Sequence, residues 1–157
     1  MSKYDCLKLE NQLCFPLYAC SRMITKHYKP LLDEFDLTYT QYITIMTLWD
    51  KKEMTQKELG QCLYLDSGTL TPLIKKLEAK GYTKKRRSET DERNIFITIT
   101  DKGMKLRDKM LKVPASMGGC VNLPQEEAET LYKILYKILG NFDELENGGN
   151  KDGSITD

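Results

Sequence analysis

Residues 55–81 read TQKELGQCLYLDSGTLTPLIKKLEAKG, and this stretch decides the fold. Thr55 and Glu58 match a capping box, in which the two residues satisfy free backbone N–H groups at the start of a helix. A second N-cap signal follows at Asp66, before apolar residues at helical spacing, and Gly81 can end that second helix. The stretch therefore predicts two short helices joined by a tight turn.

The next segment, residues 83–99, changes from helical to alternating periodicity. A basic run, Lys84–Arg87, leads into a polar turn, and isoleucines then recur at every second position up to Ile99. This pattern predicts a β-hairpin. Two capped helices followed by a hairpin form a winged helix-turn-helix, whose second helix can enter the roughly 12 Å wide major groove of DNA. The predicted fold class is mainly α with a small β-hairpin wing.

The side chains that this module would present to DNA lie on the second helix and on the wing. Hydroxyls near the helix N-terminus can meet phosphates or base edges, and an arginine near the wing tip can extend into the narrow minor groove. We predict DNA contacts from Ser67, Thr69, Thr71, Lys75, Lys76, Arg86 and Arg93. The alternative for the basic run in the hairpin is an ordinary solvated surface.

Long amphipathic patterns flank the module on both sides. Apolar residues at three- and four-residue intervals predict a helix over residues 9–35, which Pro30 kinks or ends. Thr38 caps a helix that stops near Lys51. After the hairpin, Thr100 caps a helix that reaches about residue 112, and Pro124 begins a last apolar helix. The first and last of these helices lie outside the winged-helix module and need a partner surface.

We assign these segments to one domain, residues 1–145. Residues 38–100 form its DNA-binding lobe, and residues 9–35 and 101–145 supply dimerisation helices. The polar, glycine-rich residues 146–157 are predicted to be a disordered tail. A two-fold dimer would place two recognition helices about 34 Å apart, one turn of DNA, and so predicts a pseudo-palindromic operator. Helices that only thicken a monomeric core are the alternative.

The composition restricts the class of protein. The chain has 157 residues and a formal net charge of +1, so total charge alone predicts neither a nucleic-acid nor a membrane partner. No leader pattern opens the chain and no apolar run approaches the roughly 18 residues that span a bilayer, so we expect a soluble, cytoplasmic protein. Five cysteines show no metal-ligand spacing, and His27 is the single histidine. We expect no cofactor, no metal and no enzyme activity.

The wing residues Asp91-Glu92-Arg93, taken with the order of the helices, resemble the MarR family of transcriptional regulators. Two further stretches, LENQLCF at residues 9–15 and LDSGTLTP at residues 65–72, closely resemble its organic-hydroperoxide-sensing OhrR group. The likeness covers nearly the whole chain. It implies a homodimeric repressor with Asp91 and Arg93 in its interface with double-stranded DNA. It also implies that the reduced dimer binds its operator and that an organic hydroperoxide releases it by oxidising a thiol.

The resemblance identifies the oxidisable thiol as Cys14 and its hydrogen-bonding partners as Tyr28, Tyr39 and Tyr18. In the reduced family structures, the first two tyrosines hydrogen-bond the sulfur across the dimer. Peroxide attack requires the thiolate, which a helix N-terminus and hydroxyl donors favour. Pro16 stands where the relatives have an apolar residue other than proline. Because proline is tolerated in a first turn, it can move the start of the helix.

The remaining cysteines have separate interpretations. Cys20 and Cys62 are predicted to be small buried apolar residues. Cys120 lies in a loop where two-cysteine members of the group carry a resolving thiol that bonds the sensor of the other subunit. Cys6, near the N-terminus, is an alternative resolving thiol.

Several other functions stay open at this point. A MarR-type repressor with the same fold can respond to a small phenolic or other ligand, or to another thiol oxidant, because a thiolate alone does not select its oxidant. A thiol peroxidase using Cys14 is less favoured, since the sequence offers no catalytic base or cofactor fingerprint. A pure protein-interaction module leaves the basic wing unexplained.

Overall fold

The computed structural model describes residues 2–91 and 93–148. Short 3₁₀ turns at Asp5–Leu7 and Leu9–Asn11 precede the first helix. The elements that follow are α1 (Cys14–Asp33), α2 (Tyr39–Lys51), β1 (Glu53–Thr55), α3 (Gln56–Leu63), α4 (Ser67–Ala79), β2 (Thr83–Arg87), β3 (Ile95–Ile99), α5 (Asp101–Met110), α6 (Lys112–Met117) and α7 (Gln125–Gly148). The mainly helical architecture with a small hairpin wing is as predicted.

The wing contains one strand more than the sequence predicts. β1 pairs antiparallel with β3, which also pairs antiparallel with β2, so the strand order is β1-β3-β2. β1 has only three residues, too few to show an alternating pattern, and it forms because Met54 lies opposite Ile97. This additional strand, β1, connects the sheet at the base of the hairpin to the start of α3.

The helix starts of the lobe follow the predicted caps. The Thr55 hydroxyl accepts from the Glu58 backbone N–H, and the Glu58 carboxylate accepts from the Thr55 backbone N–H at 2.9 Å, which completes the capping box. The carboxylate of Asp66 caps α4 by accepting from the Thr69 N–H at 2.8 Å. Thr38 and Thr100 cap α2 and α5. These local signals confirm the predicted helix-turn-helix.

The turn between α3 and α4 is fixed by the backbone. Tyr64 ends α3 with a φ of 53°, and the Leu65 N–H donates to the Gly60 carbonyl oxygen at 2.9 Å. A Cβ on Gly60 would lie 2.8 Å from the Leu65 carbonyl oxygen, closer than real contacts allow. Glycine at this position therefore permits the close approach that sets the direction of α4.

The core of the lobe is apolar and closed within the chain. Leu48, Leu59 and Leu77 are fully buried, and they bring α2, α3 and α4 together. The Trp49 indole N–H donates to the Gly103 carbonyl oxygen at 2.8 Å, which joins α2 to α5. The recognition module thus has its own packed interior.

The first helix begins later than the predicted residue 9. α1 starts at Cys14, and Pro16 is its third residue. Proline is tolerated in a first turn because the backbone N–H that it lacks would have no helical partner there. The chain before Cys14 forms 3₁₀ turns instead. Pro30 does not end the helix, which continues to Asp33.

The C-terminal part also differs from the prediction. A short helix that was not predicted, α6, follows α5, and Pro114 occupies its third position, where a first turn tolerates proline. Contacts divide the chain into two compact units between Cys120 and Val121. In the second unit α7 continues to Gly148, so residues 146–148 of the predicted disordered tail are helical. Residues 149–157 lie outside the described part of the chain. No helix in the described part is long and apolar enough to cross a membrane.

Candidate nucleic-acid interface and thiol site

α4 has two chemically different faces. One face buries Leu70, Leu73, Ile74 and Leu77 in the core. The opposite side exposes every residue predicted on this helix to contact DNA, namely Ser67, Thr69, Thr71, Lys75 and Lys76. The helix is anchored by its apolar face, so a polar, partly cationic surface is left available to a ligand.

Two hydroxyls on that surface are held in place by neighbouring side chains. The Thr69 hydroxyl donates to the Asp66 carboxylate at 2.9 Å. The Thr71 hydroxyl accepts from the Gln56 side-chain amide at 2.8 Å, which links the start of α3 to the recognition helix. Thr71 therefore keeps its own proton for another acceptor. Gln56 carries no local sequence signal for this role, since its partner lies 15 positions away.

The wing tip is shaped by Asp91. Its carboxylate accepts from the Arg93 backbone N–H at 3.0 Å and from the Asn94 side-chain amide at 3.4 Å, a turn typical of aspartate. The Ser88 N–H donates to the Asn94 carbonyl oxygen at 2.8 Å and closes the loop. Arg93 is exposed on this loop. Asp91 thus acts on the conformation of the tip that carries Arg93.

Arg86, another predicted DNA contact, is held against the sheet. Its guanidinium donates to the Glu53 carboxylate at 2.8 Å and lies 4.4 Å from the centroid of the Phe96 ring. The other Glu53 oxygen accepts from the Thr98 hydroxyl at 2.5 Å. These hydrogen bonds, from Thr98 and then from Arg86, lower the pKa of Glu53. Much of the Arg86 charge is therefore balanced within the chain.

Cys14 is exposed at the first residue of α1, where the helix dipole favours negative charge. Tyr18 follows one turn along the same face. The Arg22 guanidinium donates to the Tyr18 hydroxyl oxygen at 2.9 Å. The predicted thiol and one of its predicted tyrosines therefore lie on adjacent turns of one helix.

The other predicted tyrosines lie at the opposite end of α1. The rings of Tyr28 and Tyr39 have centroids 4.9 Å apart, and Tyr42 packs 5.9 Å from Tyr28. Burial raises the pKa of Tyr28, and the nearby Tyr39 and Cys120 raise it further. The Tyr28 phenol therefore keeps its proton at neutral pH and can donate it in a hydrogen bond. Cys120 thus lies near enough to Tyr28 to affect its pKa, a proximity that no local sequence motif predicts.

The two halves of the predicted thiol site are far apart within one chain. Tyr28 lies 14 residues beyond Cys14 on the same helix, which corresponds to about 21 Å at a rise of 1.5 Å per residue. A helix cannot fold back on itself. A Cys14–Tyr28 contact therefore requires two chains.

The prediction that Cys20 and Cys62 are buried is wrong, because both side chains are exposed. In α1 the fully buried residue is Leu32, and in α3 the buried residues are Leu59 and Gly60, so neither cysteine lies on a core-facing position. Cys6 is also exposed, and its thiol donates to the Lys3 carbonyl oxygen at 3.5 Å. Within the described residues, no cluster of three or more potential ligands could hold a metal ion.

This chain is similar in sequence to known transcriptional regulators. Residues 26–110 match the family model of the transcriptional regulator SarA/Rot. The organic hydroperoxide resistance transcriptional regulator of Bacillus subtilis is 46% identical over 138 residues, 88% of this chain and 94% of that protein. The HTH-type transcriptional regulator SarZ of Staphylococcus epidermidis is 42% identical over 136 residues, 86% of this chain and 92% of that protein.

This chain is also similar to solved structures, one of them bound to DNA. Reduced AbfR bound to DNA superposes with a TM-score of 0.73 at 35% identity, covering 91% of this chain and all of that one. AbfR, from Staphylococcus epidermidis, has also been solved in a disulfide form, which superposes with a TM-score of 0.61 at 35% identity and covers 87% of this chain and 96% of that one. The similarity thus extends over both the α4 surface and the helix that carries Cys14.

Proposed function

The chain belongs to the MarR family of winged-helix transcriptional regulators, and from this premise we propose that it is a dimeric, cytoplasmic repressor that leaves its operator when an organic hydroperoxide oxidises Cys14. One observation carries the proposal. Cys14 lies exposed at a helix N-terminus, while Tyr28, Tyr39 and Cys120 are grouped at the far end of the same helix. A two-fold dimer that pairs these ends would form two identical thiol sites.

The relatives support both parts of the proposal. The Bacillus subtilis relative is named for organic hydroperoxide resistance, and AbfR has been solved reduced on DNA and as a disulfide. This chain has the thiol, the tyrosines and a second cysteine that such chemistry needs. Family membership identifies a transcriptional regulator, and these features support an organic hydroperoxide as its signal.

The redox step follows from the chemistry of the thiol. The Cys14 thiolate attacks the distal oxygen of the hydroperoxide, so an S–O bond forms, the O–O bond breaks, and the departing alkoxide takes up a proton to become an alcohol. Cys14 is now a sulfenic acid. The thiol of Cys120 of the partner subunit can attack it, which forms a disulfide and releases water.

DNA binding rests on α4 and the wing. α4 enters the major groove with its exposed hydroxyls and lysines, and Arg93 extends from the wing tip toward the minor groove. Oxidation enlarges a packed sulfur at the subunit boundary and changes its hydrogen bonds, which shifts the spacing of the two recognition helices. A dimer with altered spacing no longer matches its operator.

The decisive experiment measures binding to the DNA upstream of the protein's own gene, at fixed salt, with and without cumene hydroperoxide. Wild type should be released by the oxidant, whereas Cys14→Ser should bind equally well and stay bound. Cys20→Ser is the matched control, since it removes another exposed thiol from the same helix and should behave like wild type.

Two results would contradict the proposal. Release of Cys14→Ser by the hydroperoxide would move the sensor elsewhere, and retention of the wild type would favour a repressor that responds to a bound ligand.

Non-reducing electrophoresis then tests the second thiol. A covalent dimer should form in oxidised wild type and be absent from Cys120→Ser, whereas persistence there would transfer the resolving role to another thiol such as Cys6.

A further inference from the structure

Gln56, the first residue of α3, is hydrogen-bonded to Thr71 of the recognition helix α4. Its side-chain amide donates to the Thr71 hydroxyl oxygen at 2.8 Å. Both helices begin at a side-chain cap, because the Thr55–Glu58 capping box starts α3 and Asp66 caps α4. Gln56 is partly buried, whereas Thr71 is exposed. The contact therefore joins a side chain at a fixed helix start to a hydroxyl on the surface predicted to meet DNA.

The direction of this hydrogen bond leaves Thr71 with a proton to donate. An amide N–H can only donate, so the Thr71 oxygen accepts, and the hydroxyl keeps its single proton. Thr69 provides a contrast, because its hydroxyl donates to the Asp66 carboxylate at 2.9 Å. Thr69 can therefore offer DNA only an acceptor, whereas Thr71 can offer a donor.

Gln56 also restricts where the Thr71 hydroxyl points. A threonine within a helix can turn its hydroxyl back to a carbonyl oxygen of the preceding turn. Thr44 of α2 does so and donates to the Thr40 carbonyl oxygen at 2.7 Å. The Thr71 oxygen is held instead by an amide from a neighbouring helix. A hydroxyl that is oriented in advance loses less conformational freedom when a ligand binds.

We propose that Gln56 is a positioning residue for DNA recognition, which holds the Thr71 hydroxyl as a donor to an acceptor atom of the double helix. Such acceptors are the phosphate oxygens and the base-edge acceptors of guanine, adenine and thymine in the major groove. Lys75 is exposed one turn further along α4 and adds a positive charge beside this donor. The inference rests on the proposed placement of α4 in the major groove and does not depend on the redox chemistry of Cys14.

The test measures the dissociation constants of the reduced protein for the DNA upstream of its own gene and for an unrelated duplex of equal length. Thr71→Val removes the hydroxyl with little change of shape and should weaken binding about fivefold, as expected for one hydrogen bond. Gln56→Met should weaken binding about threefold, because the hydroxyl remains but is no longer held in place. The double variant should bind no more weakly than Thr71→Val alone, since Gln56 acts through Thr71.

Two further comparisons separate this contact from a merely structural effect. Gln56→Glu replaces the donor by an acceptor that takes up the Thr71 proton. It should therefore weaken binding more in the parent chain than in the Thr71→Val chain, where only the added charge acts. Gln61→Met is the matched control, since it changes an exposed glutamine of the same helix and should leave both dissociation constants unchanged. Thermal unfolding of each variant checks that the fold is intact.

The two duplexes distinguish the sources of the acceptor. A base-edge acceptor predicts a loss of affinity for the upstream DNA alone, whereas a phosphate oxygen predicts equal losses on both duplexes. The inference is overturned if Gln56→Met binds both duplexes as tightly as the parent chain, or if it weakens binding equally when residue 71 is valine. Release by hydroperoxide is measured separately. Its failure would contradict the proposed sensor, while the Gln56 result, obtained with reduced protein, would stand.

Discussion

The DNA-binding lobe and the flanking helices differ in how far they bury their apolar side chains. In the lobe, Leu48 and Leu59 have no exposed surface. At the start of α1, by contrast, Leu13 is 75% exposed, and on α7 Ile134 is 50% exposed. The lobe is therefore completed by its own chain, while the flanking helices present apolar side chains that a second chain can cover.

The same contrast holds for polar groups. Glu53, Arg86 and Thr98 satisfy one another across the sheet of the lobe. In the proposed thiol site, the reactive sulfur of Cys14 lies at the start of α1, whereas Tyr28 lies near the other end of that helix, packed against Tyr39 of α2. The DNA-binding module is therefore formed within one chain, whereas the proposed sensor requires a pair of chains.

The largest expected effect is on the core of the lobe. Leu48→Ala should lower the free energy of unfolding by about 2–5 kcal/mol, because it leaves a cavity at a fully buried position. Met46→Ala, on the same helix but at a residue 42% exposed, should cost much less. Urea denaturation at one protein concentration measures both. Equal costs would show that the buried side chain of Leu48 stabilises the lobe no more than the partly exposed side chain of Met46.

The next largest effect is expected on α7, whose apolar side chains are partly exposed in one chain. Leu131, Leu135, Ile138 and Phe142 recur on α7 at intervals of four and three residues, which places them along one stripe of the helix. Leu131→Asp should raise the dimer dissociation constant by at least about tenfold, since a charge in an apolar interface is costly. Sedimentation equilibrium measures it, with Lys137→Asp as the control. An unchanged constant would remove this stripe from the interface.

A smaller effect, on operator binding, is expected when two arginines of the wing are compared. Arg93→Ala should weaken operator binding by about 1–3 kcal/mol, because its side chain is exposed at the tip. Arg86→Gln should leave the salt dependence of binding unchanged, because Glu53 already balances its charge. Titrations at several salt concentrations distinguish the two. A slope reduced by about one in Arg86→Gln would instead reveal a phosphate contact.

The smallest effect depends on pH. The pKa of Glu53 is lowered from its ordinary 4.5, so its ionised form stabilises the fold above that value, and the contribution disappears as the pH falls through the lowered pKa. Glu53→Gln should therefore cost about half a kcal/mol or less at neutral pH, since the pair is partly exposed. The cost should vanish in acid. A pH-independent difference in unfolding free energy would contradict this assignment.

The sequence predicted best what local chemistry determines. Thr55 with Glu58, and Asp66 with Thr69, are short-range hydrogen bonds that begin helices wherever they occur. β1 was not predicted because Met54 is stabilised by Ile97, which is distant in sequence. Long-range pairing of this kind leaves no periodic signal in three residues.

The candidate site was predicted less completely. Pro16 was identified as a residue that can move the helix start, and α1 indeed begins at Cys14 instead of residue 9. The exposure of Cys20 and Cys62 and the proximity of Cys120 to Tyr28 depend on how helices pack. The assigned roles of the thiols and DNA-contacting residues remain predictions, and oxidation and binding experiments decide them.

The separation of Cys14 and Tyr28 along one rigid helix has a genetic consequence. In the proposed dimer, Cys14→Ser and Tyr28→Phe damage opposite halves of each site, so each variant alone forms dimers with two defective sites. A mixed dimer combines both defects in one site and leaves the other with an intact cysteine and an intact tyrosine. When both alleles are expressed in one cell, the mixed dimers should therefore still leave the operator on oxidation, whereas the homodimers of either variant should stay bound.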